Sequence, residues 1–99
     1  FSKPSEGKRY VAVEVNYENR TENKNISYSP LDWKLFDKEG YSFDHSWLGN
    51  KDPDLSSGDL KPGSKVKGWL TFEVLNNSTN FKIQFSPGLF SDSVEIQLF

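Results

Sequence analysis

The stretch Leu60-Lys61-Pro62-Gly63-Ser64-Lys65-Val66-Lys67-Gly68-Trp69-Leu70-Thr71-Phe72-Glu73-Val74 decides the fold of this chain. Pro62 has its φ preset for the second position of a turn, and Gly63 can take the positive φ that the third position of a type II turn requires. Beyond the turn, Val66, Gly68, Leu70, Phe72 and Val74 fall on one side of a strand. Lys65, Lys67, Trp69, Thr71 and Glu73 fall on the other, so the period of two turns one face toward a core. This is sandwich architecture and carries no chemistry of its own.

The same alternation recurs on both sides of this stretch. Val11, Val13, Val15 and Tyr17 share a face, with Tyr10, Ala12, Glu14, Asn16 and Glu18 opposite, and the β-branched enrichment makes this a strand. It runs into the polar loop Asn19 to Asn25. Pro30 marks an edge or a break, after which Leu31, Trp33 and Leu35 alternate. Asp37-Lys38-Glu39-Gly40 fits a type I turn with glycine in the left-handed position, a hairpin that pairs Leu35 with Phe43. Continued, the same register sets Trp33 against His45 and puts Trp47 on that side, so both tryptophans are expected in the core. Residues 48 to 59 read as loop, with a short strand near Asp59-Leu60. Phe81, Ile83 and Phe85 form another strand, Ser86-Pro87-Gly88 breaks it, and Val94, Ile96 and Leu98 form the last. The pattern predicts an all-β protein, an immunoglobulin-like β-sandwich of about seven to eight mostly antiparallel strands. Residues 1–7 read as a tail or short edge segment and 8–99 as one sandwich domain.

Composition removes several classes of function. Hydrophobic residues make up 34% of the 99, but aromatics reach 15%, so few and bulky side chains must fill the core. With a net charge of −2 and cations scattered along the chain, no basic stripe exists to neutralise phosphates, and no nucleic-acid partner is expected. No apolar run approaches the length of a membrane span. Cysteine is absent, which removes disulfides and thiol chemistry from these residues. The first residue is Phe1, not methionine, which points to an excised or processed piece with any signal sequence or lipid-bearing cysteine upstream.

The ordered set Gly7 to Val15, Asn19, Ser29-Pro30-Leu31-Asp32-Trp33-Lys34-Leu35, Asp37-Lys38-Glu39-Gly40, Leu60-Lys61-Pro62-Gly63 and Lys67 to Val74 carries a family resemblance. It resembles the immunoglobulin-like domain of unknown function of extracytoplasmic lipoproteins from Gram-positive bacteria and some archaea. That family once carried a label after a telomeric repeat-binding factor, and it is similar in fold to a small secreted mycobacterial antigen. The resemblance spans about Gly7 to Leu98. It implies export and tethering through an upstream lipidated cysteine, and it carries no catalytic residues to transfer.

No catalytic set, cofactor site or metal site is expected. His45 is the one histidine, and Asp44 beside it points to the other face of a strand, so no base has its orienting carboxylate. Asn50, Asp52 and Asp54, with Asp59 beyond, have the spacing of oxygen ligands for calcium. Pro53 and the missing terminal glutamate favour a solvated acidic loop instead. Asn-x-Ser/Thr triplets begin at Asn19, Asn25, Asn76 and Asn77, all in loops. The candidate partner-contact surface is Trp69 with Lys67, Thr71 and Phe36; Tyr10 and Phe99 are also expected outside the core. The alternative for Trp69 is cover by a neighbouring loop or by the N-terminal segment.

The expected function is a non-enzymatic extracytoplasmic binding or scaffolding domain for another protein or a cell-envelope component. It would meet the membrane only through the upstream anchor, and its contacts would use the loops Asn19 to Asn25, Leu48 to Asp59 and Ser86 to Ser91, or the Trp69 face. A carbohydrate-binding module using exposed aromatics and a protease inhibitor using sandwich loops are the alternatives. The turn gives a first test: Gly63→Val should lower stability by about 1 kcal/mol, since a β-branched residue resists positive φ. The check is a drop in the urea midpoint at unchanged slope.

Overall fold

The computed structural model describes residues 3–47, 51–86 and 94–98. Along the chain come β1 (Lys8–Glu18), β2 (Ile26–Tyr28), a single 3-10 turn (Pro30–Asp32), β3 (Trp33–Phe36), β4 (Ser42–Asp44), β5 (Gly58–Leu60), β6 (Lys65–Leu75), β7 (Lys82–Phe85) and β8 (Val94–Gln97). They form three sheets, β1-β6, β2-β5 and β4-β3-β7-β8, with every strand pair antiparallel. The all-β sandwich expected from the alternation is the fold of the protein.

The two long strands pair residue for residue along their full length, Lys8 with Leu75 through Glu18 with Lys65. Val11 therefore lies beside Phe72 and Val13 beside Leu70, and this face meets Leu35, Phe81 and Ile83 of the other layer. Leu35, Leu70, Phe72 and Val74 are completely buried. Each such side chain contributes about 1.5–3 kcal/mol on leaving water.

The turn chemistry is as the residue types dictate. Gly63 has φ +82, and the Ser64 N–H closes the turn onto the Lys61 carbonyl at 3.0 Å. Gly40 has φ +87, the Asp37 N–H donates to the Tyr41 carbonyl, and Leu35 pairs with Phe43. Asp37 is buried and works as the keystone of its turn. Its Oδ1 accepts from the Glu39 and Tyr41 amides, and its Oδ2 accepts from the Ser78 hydroxyl at 2.8 Å.

Three expectations are corrected. The β3-β4 ladder ends at Lys34–Asp44, so His45 does not face Trp33; His45 bridges Phe72 of β6, and Trp33 pairs with Phe85. The chain changes sheets at that point. Trp47 is 65% exposed and lies outside the core, because the segment after His45 leaves the ladder that set the parity. Leu31 sits in the 3-10 turn at 75% exposure, since Ser29 caps the turn and Pro30 opens it, which removes Leu31 from the strand.

The edge of β6 away from β1 is covered by irregular segments. The Ser46 N–H donates to the Thr71 carbonyl at 2.7 Å, the Leu55 N–H to Trp69 at 2.9 Å, and the Trp69 N–H to Pro53 at 2.9 Å. At the far end, the Asn76 N–H donates to Gly7 and the Ser5 N–H to the Glu73 carboxylate, so residues 5–7 are docked on β6. Asn19 joins β1 to the turn before β6. Its amide nitrogen donates to the carbonyls of Lys24 (2.7 Å) and Leu60 (2.8 Å), and its oxygen accepts from the Thr21 amide and hydroxyl. Its backbone trades bonds with Gly63 and Ser64.

Two substitutions test this framework. A Cβ at Gly68 would stand 2.8 Å from the backbone of Leu55, so Gly68→Ala must displace the segment that pairs with Trp69. It should cost about 1–3 kcal/mol in urea denaturation and red-shift the tryptophan emission. Asn19→Ala strips four hydrogen bonds from a residue that is 1% exposed, among them the buried donor to the Leu60 carbonyl. A loss of about 3 kcal/mol is expected, with Asn19→Asp also destabilising because a carboxylate cannot donate to two carbonyls.

Candidate functional site

The four residues expected on one contact surface do not lie together. Trp69 and Lys67 face out from β6, opposite Glu14 and Asn16 of β1. Thr71 shares their parity but is 1% exposed, and its hydroxyl has no hydrogen-bond partner among the described residues. Alternation gives the direction of a side chain, and here the outer face is covered at that point. Phe36 stands on the four-stranded sheet between Ser42 and Lys82, in the other layer. Tyr10 is half-buried, while Phe99 lies outside the described residues.

Trp69 is half-buried, and the loop expected as its alternative cover is present. Residues 53–55 run along its backbone, and the Lys51 ammonium sits 3.8 Å from the ring centroid. A cation centred on an indole face is worth about 0.5–1 kcal/mol at an exposed site. This ring is engaged within the chain.

Among the described residues Trp47 and Tyr41 are the aromatics presented to solvent, and Trp47 is the larger and the more exposed. Its backbone follows Ser46, which is hydrogen-bonded to Thr71, and its ring meets the buried His45 ring edge-on, 4.7 Å between centroids. The signal that could have exposed it in the sequence is Gly49-Asn50 so soon afterwards, which ends any strand able to carry Trp47 inward. Asp44, next to His45, points away and pairs with the Lys34 ammonium at 3.6 Å.

A second aromatic group closes one end of the sandwich. Trp33 packs on Phe85 at 4.6 Å, and Tyr17 meets Trp33, Phe85 and Tyr28 at 5.5–6.0 Å. The Tyr17 hydroxyl accepts from the Trp33 indole N–H at 2.8 Å and donates to Asp32 at 2.9 Å. Burial first, and then the Asp32 carboxylate taking its proton in a hydrogen bond, push this phenol far above its ordinary range. Tyr17 is a fixed donor, and the cluster is structural.

The acidic residues after Trp47 are dispersed. Asp54 bridges Trp69, and Asp59 lies on β5, where it accepts from the Ser27 hydroxyl. Asn50 lies outside the described residues, as do Leu48, Gly49 and positions 87–93. Among the described residues no three His, Cys, Asp or Glu side chains gather as metal ligands, and no helix is long and apolar enough to cross a membrane. Asn19, the first Asn-x-Thr position, has both amide hydrogens committed within the fold and is closed to modification. An apolar cleft of about 300 Å³ opens beside β1, lined by Val13, Val15, Trp33, Ile83 and Leu98 together with Glu14 and Asn16.

The sequence matches the family described as a domain of unknown function (DUF4352) over residues 1–96, and the chain belongs to it. No curated protein matches the sequence. Among solved structures it is similar to the yjhA protein of Bacillus subtilis, with 28% identity and a TM-score of 0.64 over 79% of this chain and 56% of that one. It is also similar in fold to a candidate lipoprotein (ycdA) of Bacillus subtilis, with 17% identity and a TM-score of 0.75 over 95% of this chain and 30% of that one. The chain thus spans about half the length of the first and under a third of the second.

Proposed function

We propose that this DUF4352 domain is a non-enzymatic binding or scaffolding module of an extracytoplasmic protein, lipid-anchored or secreted, and that it holds another protein through Trp47. The observation that carries the reading is a large indole, 65% exposed, held in place from two sides by the Ser46–Thr71 hydrogen bond and the His45 ring. A fixed aromatic gives up little conformational freedom on binding, and tryptophan is the residue type most enriched at binding hot spots. The location is supported by the fold shared with ycdA, a candidate lipoprotein. A non-enzymatic role is supported by the setting of His45, buried against Trp47 with its neighbour Asp44 turned to Lys34.

Co-sedimentation of the purified chain with Bacillus subtilis envelopes tests the reading. Binding to untreated envelopes, loss of binding after protease stripping, and at least tenfold weakening by Trp47→Ala are expected. Trp69→Ala should have a smaller effect, because that ring is already covered by Lys51. Retention on stripped peptidoglycan would instead favour a carbohydrate-binding module. Failure to bind any fraction would remove the proposal.

A further inference from the structure

The two edges of the β1-β6 ladder are treated differently. The β6 edge is covered by residues 45–46 and 53–55, whereas β1 has no strand on its other side among the described residues. Apart from the Lys8 N–H, which closes a turn onto Ser5, its outward backbone groups have no backbone partner there. This edge is eleven residues long and pairs with β6 without a bulge or a proline. Protein edges of that length are ordinarily blunted by bulges, proline or a covering segment. The apolar cleft of Val13, Trp33, Ile83 and Leu98 lies directly beside it.

We propose that a second copy of this chain occupies the edge, β1 against β1, antiparallel about a two-fold axis at Val13. Three constraints select that register. Core-facing residues must meet core-facing residues, which excludes every register that pairs odd with even positions. Of those left, only the one centred on Val13 matches all eleven residues, Lys8 with Glu18 at each end. It also avoids like charges: Lys8 meets Glu18, Tyr10 meets Asn16, Ala12 meets Glu14, and Val11 meets Val15. Centring on Glu14 would set two carboxylates face to face, and centring on Ala12 would leave Tyr17 and Glu18 beyond the start of the partner's strand. Pairing satisfies the free backbone groups and covers the half-buried Val13 at the mouth of the cleft.

Light scattering and sedimentation equilibrium on the 99-residue chain test the pairing. A mass twice that of the chain is expected at concentrations on the order of 100 µM. Lys8→Glu places like charges at both ends of the joint and should weaken the dimer about tenfold. The exchange Lys8→Glu with Glu18→Lys should restore it. Circular dichroism and urea midpoints confirm that each variant is folded. A monomer at that concentration overturns the proposal and leaves the edge to a strand from another polypeptide. So does a dimer indifferent to Lys8→Glu, or one that the double exchange fails to rescue.

Discussion

The eleven-residue pairing of β1 with β6 is the interaction from which the remaining structure hangs. Its partners are remote in sequence: Val11 lies against Phe72, and everything from β2 to β5 is enclosed between them. Closing so long a loop costs entropy that only the completed ladder and its buried face repay. Once formed, β6 is the rail on which irregular segments lie. Residues 45–46 and 53–55 bond to its outer edge, and residues 5–7 dock at its end. Gly68 belongs to this arrangement, because the backbone of Leu55 can approach only where no Cβ stands.

Where one sheet face is buried and its turns are built from proline and glycine, the sequence carries enough to place the strands. The valines of β1, the run Leu70-Phe72-Val74 and the Pro62-Gly63 turn could be read directly, because alternation and positive φ are local properties. What was not legible depends on segments without a period. Thr71 has the parity of a solvent residue and is buried; Trp47 has the parity of a core residue and is exposed. The direction of a side chain is set by its own strand, but its cover is set by remote chain. His45 shows the same limit: it is buried, as its parity implies, while its partner is Phe72 because the chain leaves β3. The outer surface is less legible than the fold for this reason. Phe36 and Trp69 are both outward-facing, yet on different layers.

Polar side chains do the tying that disulfides perform in many small sandwiches. Asn19 clasps the loop before β2 to the end of β5, Asp37 holds its own hairpin and Ser78, and Asp32 links the 3-10 turn to Tyr17. Each is buried or half-buried with its hydrogen bonds made, which avoids the penalty of an orphaned polar group. In a chain that is 34% hydrophobic, such clasps fix the loop ends that a thin core cannot grip alone. They also explain why aromatic residues crowd at Tyr17, Trp33 and Phe85: the rings close the end of the sandwich while their polar tips join the same network.

The difference between the two edges of the long ladder bears on how such a domain could bind. Trp47 belongs to the segment on the β6 side, and the uncovered backbone belongs to β1 on the other. A β1–β1 pair would therefore leave both indoles accessible, one at each flank of a continuous sheet. Two modest contacts held on one rigid body act together on a target that repeats, and the second forms at a high effective concentration. An envelope surface offers such repetition. Pairing through the backbone edge and contact through a positioned indole are then complementary, since the first multiplies the second without using any of its atoms.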